Sequence, residues 1–252
     1  MNLPDYNFLS APLWLITVLH IVTLSLHFLA MNFLLGGLVV VLWGKFTDRW
    51  ENPVVKRFIR WFPTAMAATV TLGVAPLLFV QLTYHHQVYS AAIISGWFWL
   101  AIVAAVIVAY YLLYAAAFRR EGKSPNVGVF LTVAVLFLLY VSYTYSSVFS
   151  MAEQPTAMQE LYATNQAGTV INPFVGDYIF RWLHMILGAI SVGGFFVGWL
   201  GRDHEPAYQA GRTWYLWGVI GAAIAGLAYI MTMGDYLIAY MRTPAVWVLL
   251  VA

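Results

Sequence analysis

The sequence has no cysteine and very few charges. Without cysteine it can form no disulfide, no thiolate-held iron–sulfur cluster, no cysteine-based zinc site and no thioether link to a c-type haem. Asp, Glu, Lys and Arg together make up 9% of the 252 residues, against about 25% in an average soluble domain. That scarcity excludes a disordered chain, a soluble enzyme and a nucleic-acid binder with a basic face. What the sequence has in abundance is apolar surface: 62% hydrophobic residues and a mean hydropathy of +0.79. A soluble fold of this length leaves much of its surface wet and cannot bury so much. The composition therefore predicts an integral membrane protein with the lipid bilayer as its solvent and no nucleic-acid partner.

The gaps between charges give the spans. Asp5 to Lys45 leaves 39 uncharged residues, more than the ~20 that cross a bilayer. This fits one helix with an extension at its N-terminal end. Arg60 to Arg119 leaves 58, enough for two helices, with the polar group Gln81, Thr83, Tyr84, His85, His86 and Gln87 marking the turn between them. Lys123 to Glu153, Arg181 to Arg202 and Arg212 to Asp235 bound three more. The expectation is an all-α bundle of six transmembrane helices near 14–44, 62–84, 95–118, 127–150, 177–200 and 212–238, forming one domain over 1–252. The apolar start is too long, and lacks the basic flank, for a signal peptide. Ten of the twelve basic residues fall in the segments 45–61, 119–126 and 201–212. By the positive-inside rule both termini then face outward from a bacterial or archaeal cytoplasmic membrane. The segment 151–176 reads as one long outer loop, and a loop of that length is often a docking surface. The apolar stretch Pro244 to Ala252 is too short to span and reads as interfacial. No internal repeat stands out.

Five of the six histidines collect in the outer half of this arrangement. His27 and His184 lie at similar depth. His20 is two turns above His27 on the same face, level with His85 and His86. The sixth, His204, sits among charges in an inner segment and reads as solvated. An imidazole inside hydrocarbon needs a partner. One alone reads as an interhelical hydrogen bond, whereas a layer of them points to iron. Haem b needs only side-chain ligands, so His27, His184 and His20 are candidate iron ligands. His85, His86, Met231 and Met233 are further candidates around the cofactor, and at most one of His85 and His86 is expected to serve a given site. Zinc is the weaker fit, with no cysteine and no mid-span carboxylate. Arg181, one turn before His184, either pairs with a haem propionate or anchors the helix at the interface.

Four short motifs carry a resemblance. Leu26-His27-Phe28-Leu29 precedes a helix with Gly36-Gly37. Leu72-Gly73-Val74-Ala75 lies in the second span. Asn172-Pro173 is followed by Arg181 and His184. Gly234-Asp235 closes the sixth span. In order and spacing the chain resembles the N-terminal six-helix part of subunit I of the cytochrome bd quinol oxidases. The resemblance implies haem-ligating roles for His27 and His184. It departs from the family in lacking the later helices, the quinol-binding loop and any intramembrane Glu, so oxygen reduction by this chain alone is not expected. His20, His85 and His86 are additions to the family pattern.

The expected function is a haem-b subunit, with one or two haems, of a respiratory electron-transfer complex. It would exchange electrons between the quinone pool and an extracytoplasmic redox partner such as a c-type cytochrome. Tyr84, Gln81 and Asp235 are candidate quinone contacts. The competing reading is a haem-free membrane anchor within a larger complex. A transporter is disfavoured, since no charge lies mid-span and no paired broken helices appear.

Overall fold

A computed structural model describes residues 11–47, 52–118 and 126–234. These residues form helices and short connections, with no strand among them. Six helices are long and apolar enough to cross a membrane. They are α1 (Leu13–Thr47), α2 (Asn52–Thr83), α4 (Gly96–Phe118), α5 (Asn126–Ala152), α7 (Ile179–Leu200) and α8 (Glu205–Thr232). Two short helices, α3 (His85–Ile94) and α6 (Pro155–Thr164), and one 3₁₀ turn (Val175–Asp177) join them at one end of the bundle. The described residues thus form a six-span helical membrane bundle. Asp235, Arg242 and the 244–252 stretch lie outside the described residues.

The spans begin and stop for local reasons. At α8, Pro206 follows Glu205 in the first turn, where a missing N–H costs nothing. His204 caps this helix, its ring nitrogen accepting from Ala207 N at 3.3 Å; this residue is a helix cap, not merely a solvated side chain. α2 and α8 start at Asn52 and Glu205, well before the expected 62 and 212. Counting from the innermost charge located the apolar core of each span. It missed the polar first turns, which carry Lys56, Arg57 and Arg60 in α2 and Gln209 and Arg212 in α8.

Because α3 and α6 lie at the same end, α1, α4 and α7 run one way and α2, α5 and α8 return. α1 packs on α2, α7 on α8, and α4 on α5. α1 also crosses α7. A Cβ at Gly36 would strike the backbone at Ala189, and one at Gly193 would strike the backbone at Gly36. Only glycine lets the two helices approach so closely, which is how membrane helices gain contact where lipid competes for apolar surface. The main core lies at and below this crossing. Leu34, Leu38 and Val41 of α1 meet Phe58 and Phe62 of α2, Leu113 of α4 and Leu131 of α5 there.

The other half is built differently. Between Ile16 and Leu34 no residue of α1 is fully buried, and neither is any residue of α7 from Ile179 to Gly188. Above this looser half sits an ordered cap. The expected loop 151–176 is α6 plus an extended segment pinned to α3 and α4. Trp97 N donates to Gly168 O at 3.0 Å and Val170 N to Ile94 O at 3.2 Å. The Ser95 hydroxyl donates to Val170 O at 2.7 Å. Gly168 has φ +73°, a left-handed conformation that favours glycine. Ala91, Ile94, Val148, Met151 and Met158 form a second small core under it.

Candidate functional site

The sequence expectation gathers its candidates in a histidine layer; in the structure His20, His27 and His184 fall on the stretches of α1 and α7 that carry no fully buried residue. Three rings share one geometry. His27 Nδ1 lies 2.9 Å from the Thr69 carbonyl oxygen. His184 Nδ1 lies 2.8 Å from that of Ala222. His20 Nδ1 lies 3.2 Å from that of Pro76. A carbonyl only accepts, so Nδ1 carries the proton in each ring and Nε2 holds a free lone pair. None of these Nε2 atoms has a hydrogen-bond partner among the described residues. A backbone carbonyl orienting the ring from behind, with the other nitrogen open, is the outer-shell arrangement that metal-ligating histidines use.

Two of the rings also share a cradle. A Cβ at Gly73, one turn beyond Thr69 on α2, would lie 2.7 Å from His27 Cε1. A Cβ at Gly226, one turn beyond Ala222 on α8, would lie 2.8 Å from His184 Nδ1. Each imidazole thus lies where only glycine leaves room.

The match extends along both hairpins. A shift of 157 residues carries Leu26-His27, Gly36-Gly37, Val40 and Gly44-Lys45 onto Leu183-His184, Gly193-Gly194, Val197 and Gly201-Arg202. On the return helices a shift of 153 carries Pro53, Trp61, Gly73 and Ala75 onto Pro206, Trp214, Gly226 and Ala228. The contacts follow the same register. Gly37 faces Phe58 and Phe62; Gly194 faces Gly211 and Tyr215, which are those positions shifted by 153. Thr69 and Ala222, whose carbonyls accept from the two rings, are equivalent as well. The chain therefore contains a repeat that the sequence reading missed: α1–α2 and α7–α8 are two versions of one hairpin. They meet through Gly36 and Gly193. His27 and His184 occupy the same position in the two copies, and each ring turns to the return helix of its own hairpin.

The remaining candidates are placed as follows. His85 and His86 open α3, with ring centroids 3.9 Å apart; His86 is exposed and His85 half-buried. Among the described residues no group of three His, Asp or Glu side chains converges on a metal position. Arg181 pairs with Glu153 at 2.9 Å, and its guanidinium lies 5.8 Å from the centre of the Tyr229 ring. This holds it at the cap end, one turn from His184. Met231 is 76% exposed, and Met233 is half-buried one turn beyond Tyr229. Asp235 lies outside the described residues. Gly188, one turn below His184, has nothing within 4 Å of its Cβ position.

A polar network missed by the sequence reading ties the cap to α5 and α7. Tyr178 is fully buried. Its hydroxyl lies 2.9 Å from that of Tyr143 and donates to Asn172 O at 3.2 Å. Asn172 N donates to Ser147 Oγ at 3.0 Å, and Trp182 Nε1 to Ser142 Oγ at 3.0 Å. Burial, then the Tyr143 hydroxyl, push the Tyr178 phenol above its ordinary range. Comparison with protein-family models, curated proteins and solved structures returned no match.

Proposed function

We propose that the chain is a haem-b-binding membrane subunit of a respiratory electron-transfer complex. It exchanges electrons between the quinone pool and an extracytoplasmic redox partner such as a c-type cytochrome. One observation carries this reading: His27 and His184, at equivalent positions of a repeated hairpin, have Nδ1 committed to a carbonyl, Nε2 open and a glycine opposite. A structural histidine in a helix interface needs only the first of these.

The donor set fits the group. His27 and His184 would hold one haem each, on the stretches of α1 and α7 that carry no fully buried residue. Bound there, haem b supplies reversible one-electron chemistry. The Thr69 and Ala222 carbonyls fix each ligating tautomer, and Gly73 and Gly226 leave space for each ring. Arg181, held by Glu153 one turn from His184, supplies a cation at the cap end for a propionate. The positive-inside pattern supports an outward-facing histidine half, where the ordered cap would offer a platform to a partner.

Membership in a complex has separate support. Val55, Phe62 and Met66 of α2 are at most 5% exposed, in one core with Ala109 and Leu113 of α4. Their equivalents on α8, Tyr208, Tyr215 and Val219, are 41–44% exposed. The second hairpin lacks the cover that α4 and α5 give the first.

The test is haem content in folded His27→Ala and His184→Ala proteins, purified in detergent. Each variant is expected to lose one haem per chain and keep the other. Full haem content in either variant contradicts the assignment. Absence of haem from the wild-type complex favours the anchor reading.

A further inference from the structure

His20 does not belong to the repeat. Its equivalent under the 157-residue shift is Asp177, an exposed residue that accepts from Gln154 at 2.7 Å. Its carbonyl partner is Pro76, and one turn beyond Pro76 stands Val80 rather than glycine. So His20 shares the fixed tautomer of His27 and His184 without their cradle. At this position the first hairpin carries an imidazole held against its return helix, and the second a carboxylate held by Gln154.

The surroundings suit a flat molecule arriving from the bilayer. α1 is 35 residues long, about 52 Å, against a hydrocarbon core of about 30 Å. Counted from its basic end at Lys45, the core ends near Ser25, and His20 lies about 7.5 Å beyond it, in the interfacial layer. Ile16, one turn above, is 4% exposed. Below, neither α1 from 17 to 33 nor α2 from 70 to 75 has a fully buried residue. Leu19, Val22, Val74 and Leu78, 41–56% exposed, leave an apolar flank facing lipid. Seven residues separate His20 from His27 on one face, about 10 Å along the helix.

We propose that His20 is the hydroxyl-binding residue of a quinol site in the α1–α2 seam, with the isoprenoid tail lying along the apolar flank. This inference rests on the haem reading for its electron acceptor, but not for binding. The open Nε2 accepts a hydrogen bond from a quinol hydroxyl while Pro76 holds Nδ1–H. Oxidation of the quinol to the quinone releases two protons and two electrons. Nε2 takes the proton of the hydroxyl it holds, becoming imidazolium, and the second proton goes to water at the boundary. The two electrons would leave one at a time to a one-electron oxidant, the chemistry that a haem held by His27 would supply.

The test uses the purified full-length protein and a fluorescent alkylhydroxyquinoline N-oxide, a quinol analogue whose emission is quenched on binding. Haem per chain is measured in parallel. His20→Ala is expected to weaken probe binding at least tenfold while keeping every haem, and His184→Ala to bind the probe as wild type does. His20→Gln, whose amide can still donate to Pro76 O, serves if the alanine variant does not fold, and is expected to keep haem and weaken the probe. Three results would overturn the proposal: a wild-type protein that does not bind the probe, a folded His20 variant that binds it with wild-type affinity, or a His20 variant that loses a haem. If the wild type holds no haem but His20→Ala still abolishes probe binding, the haem reading fails and the binding site stands.

Discussion

Replacing Gly73 with alanine separates a ligand cradle from ordinary helix packing. The new Cβ would lie 2.7 Å from Cε1 and 2.8 Å from Nδ1 of His27. Carbon atoms settle at about 3.5 Å or more, so the ring must retreat by about 0.8 Å. The 2.9 Å bond from Nδ1 to Thr69 O then stretches beyond hydrogen-bond range. The clash is with a side chain that can turn, so the helices stay in place. Loss of one interhelical bond in a membrane costs only about 0.6 kcal/mol. The effect on a bound metal is far larger, because removing the group that orients a ligating histidine typically weakens metal affinity by about 10–100-fold. Haem titration into apoprotein, read by absorbance and paired with thermal unfolding, measures both quantities. The expected outcome is near-wild-type unfolding with one haem site weakened by at least about tenfold. Wild-type affinity at both sites in a folded Gly73→Ala protein would refute the reasoning.

Other substitutions give sharper structural outcomes. Gly36→Ala and Gly193→Ala place a methyl on the backbone of the facing helix, so the yield of monodisperse protein in size-exclusion chromatography should collapse. Gly188→Ala, whose Cβ meets nothing within 4 Å, should leave it unchanged. Tyr178→Phe removes a fully buried hydroxyl and its bonds to Tyr143 and Asn172; unfolding should become easier by about 1–3 kcal/mol, read in denaturant titrations. Glu153→Gln breaks a pair whose carboxylate is 58% exposed; the loss in the same titrations should stay below about 1 kcal/mol.

The number of spans was legible because charge is so costly in hydrocarbon that it marks the membrane boundaries almost by itself. The same marker hid the polar starts of α2 and α8, which are helical yet charged. It also hid α3 and α6, whose mixed composition lies along the cap rather than across the bilayer. The expected depth of each histidine comes from helical rise alone. What each ring touches was not legible, since carbonyl acceptors leave no trace in side-chain identity. The repeat was present in the sequence as two copies of His followed nine residues later by Gly-Gly. It went unseen because few identities are shared and four residues drop out between its helices. The contacts of Gly37 and Gly194 made it plain.

The central claim is tested most directly by the dithionite-reduced minus oxidised absorbance spectrum of the purified protein, with a pyridine haemochromogen assay for haem type and stoichiometry. The account predicts b-type haem at two per chain, one for each histidine hairpin. A well-folded preparation, isolated with its native partners and containing no haem, would contradict it.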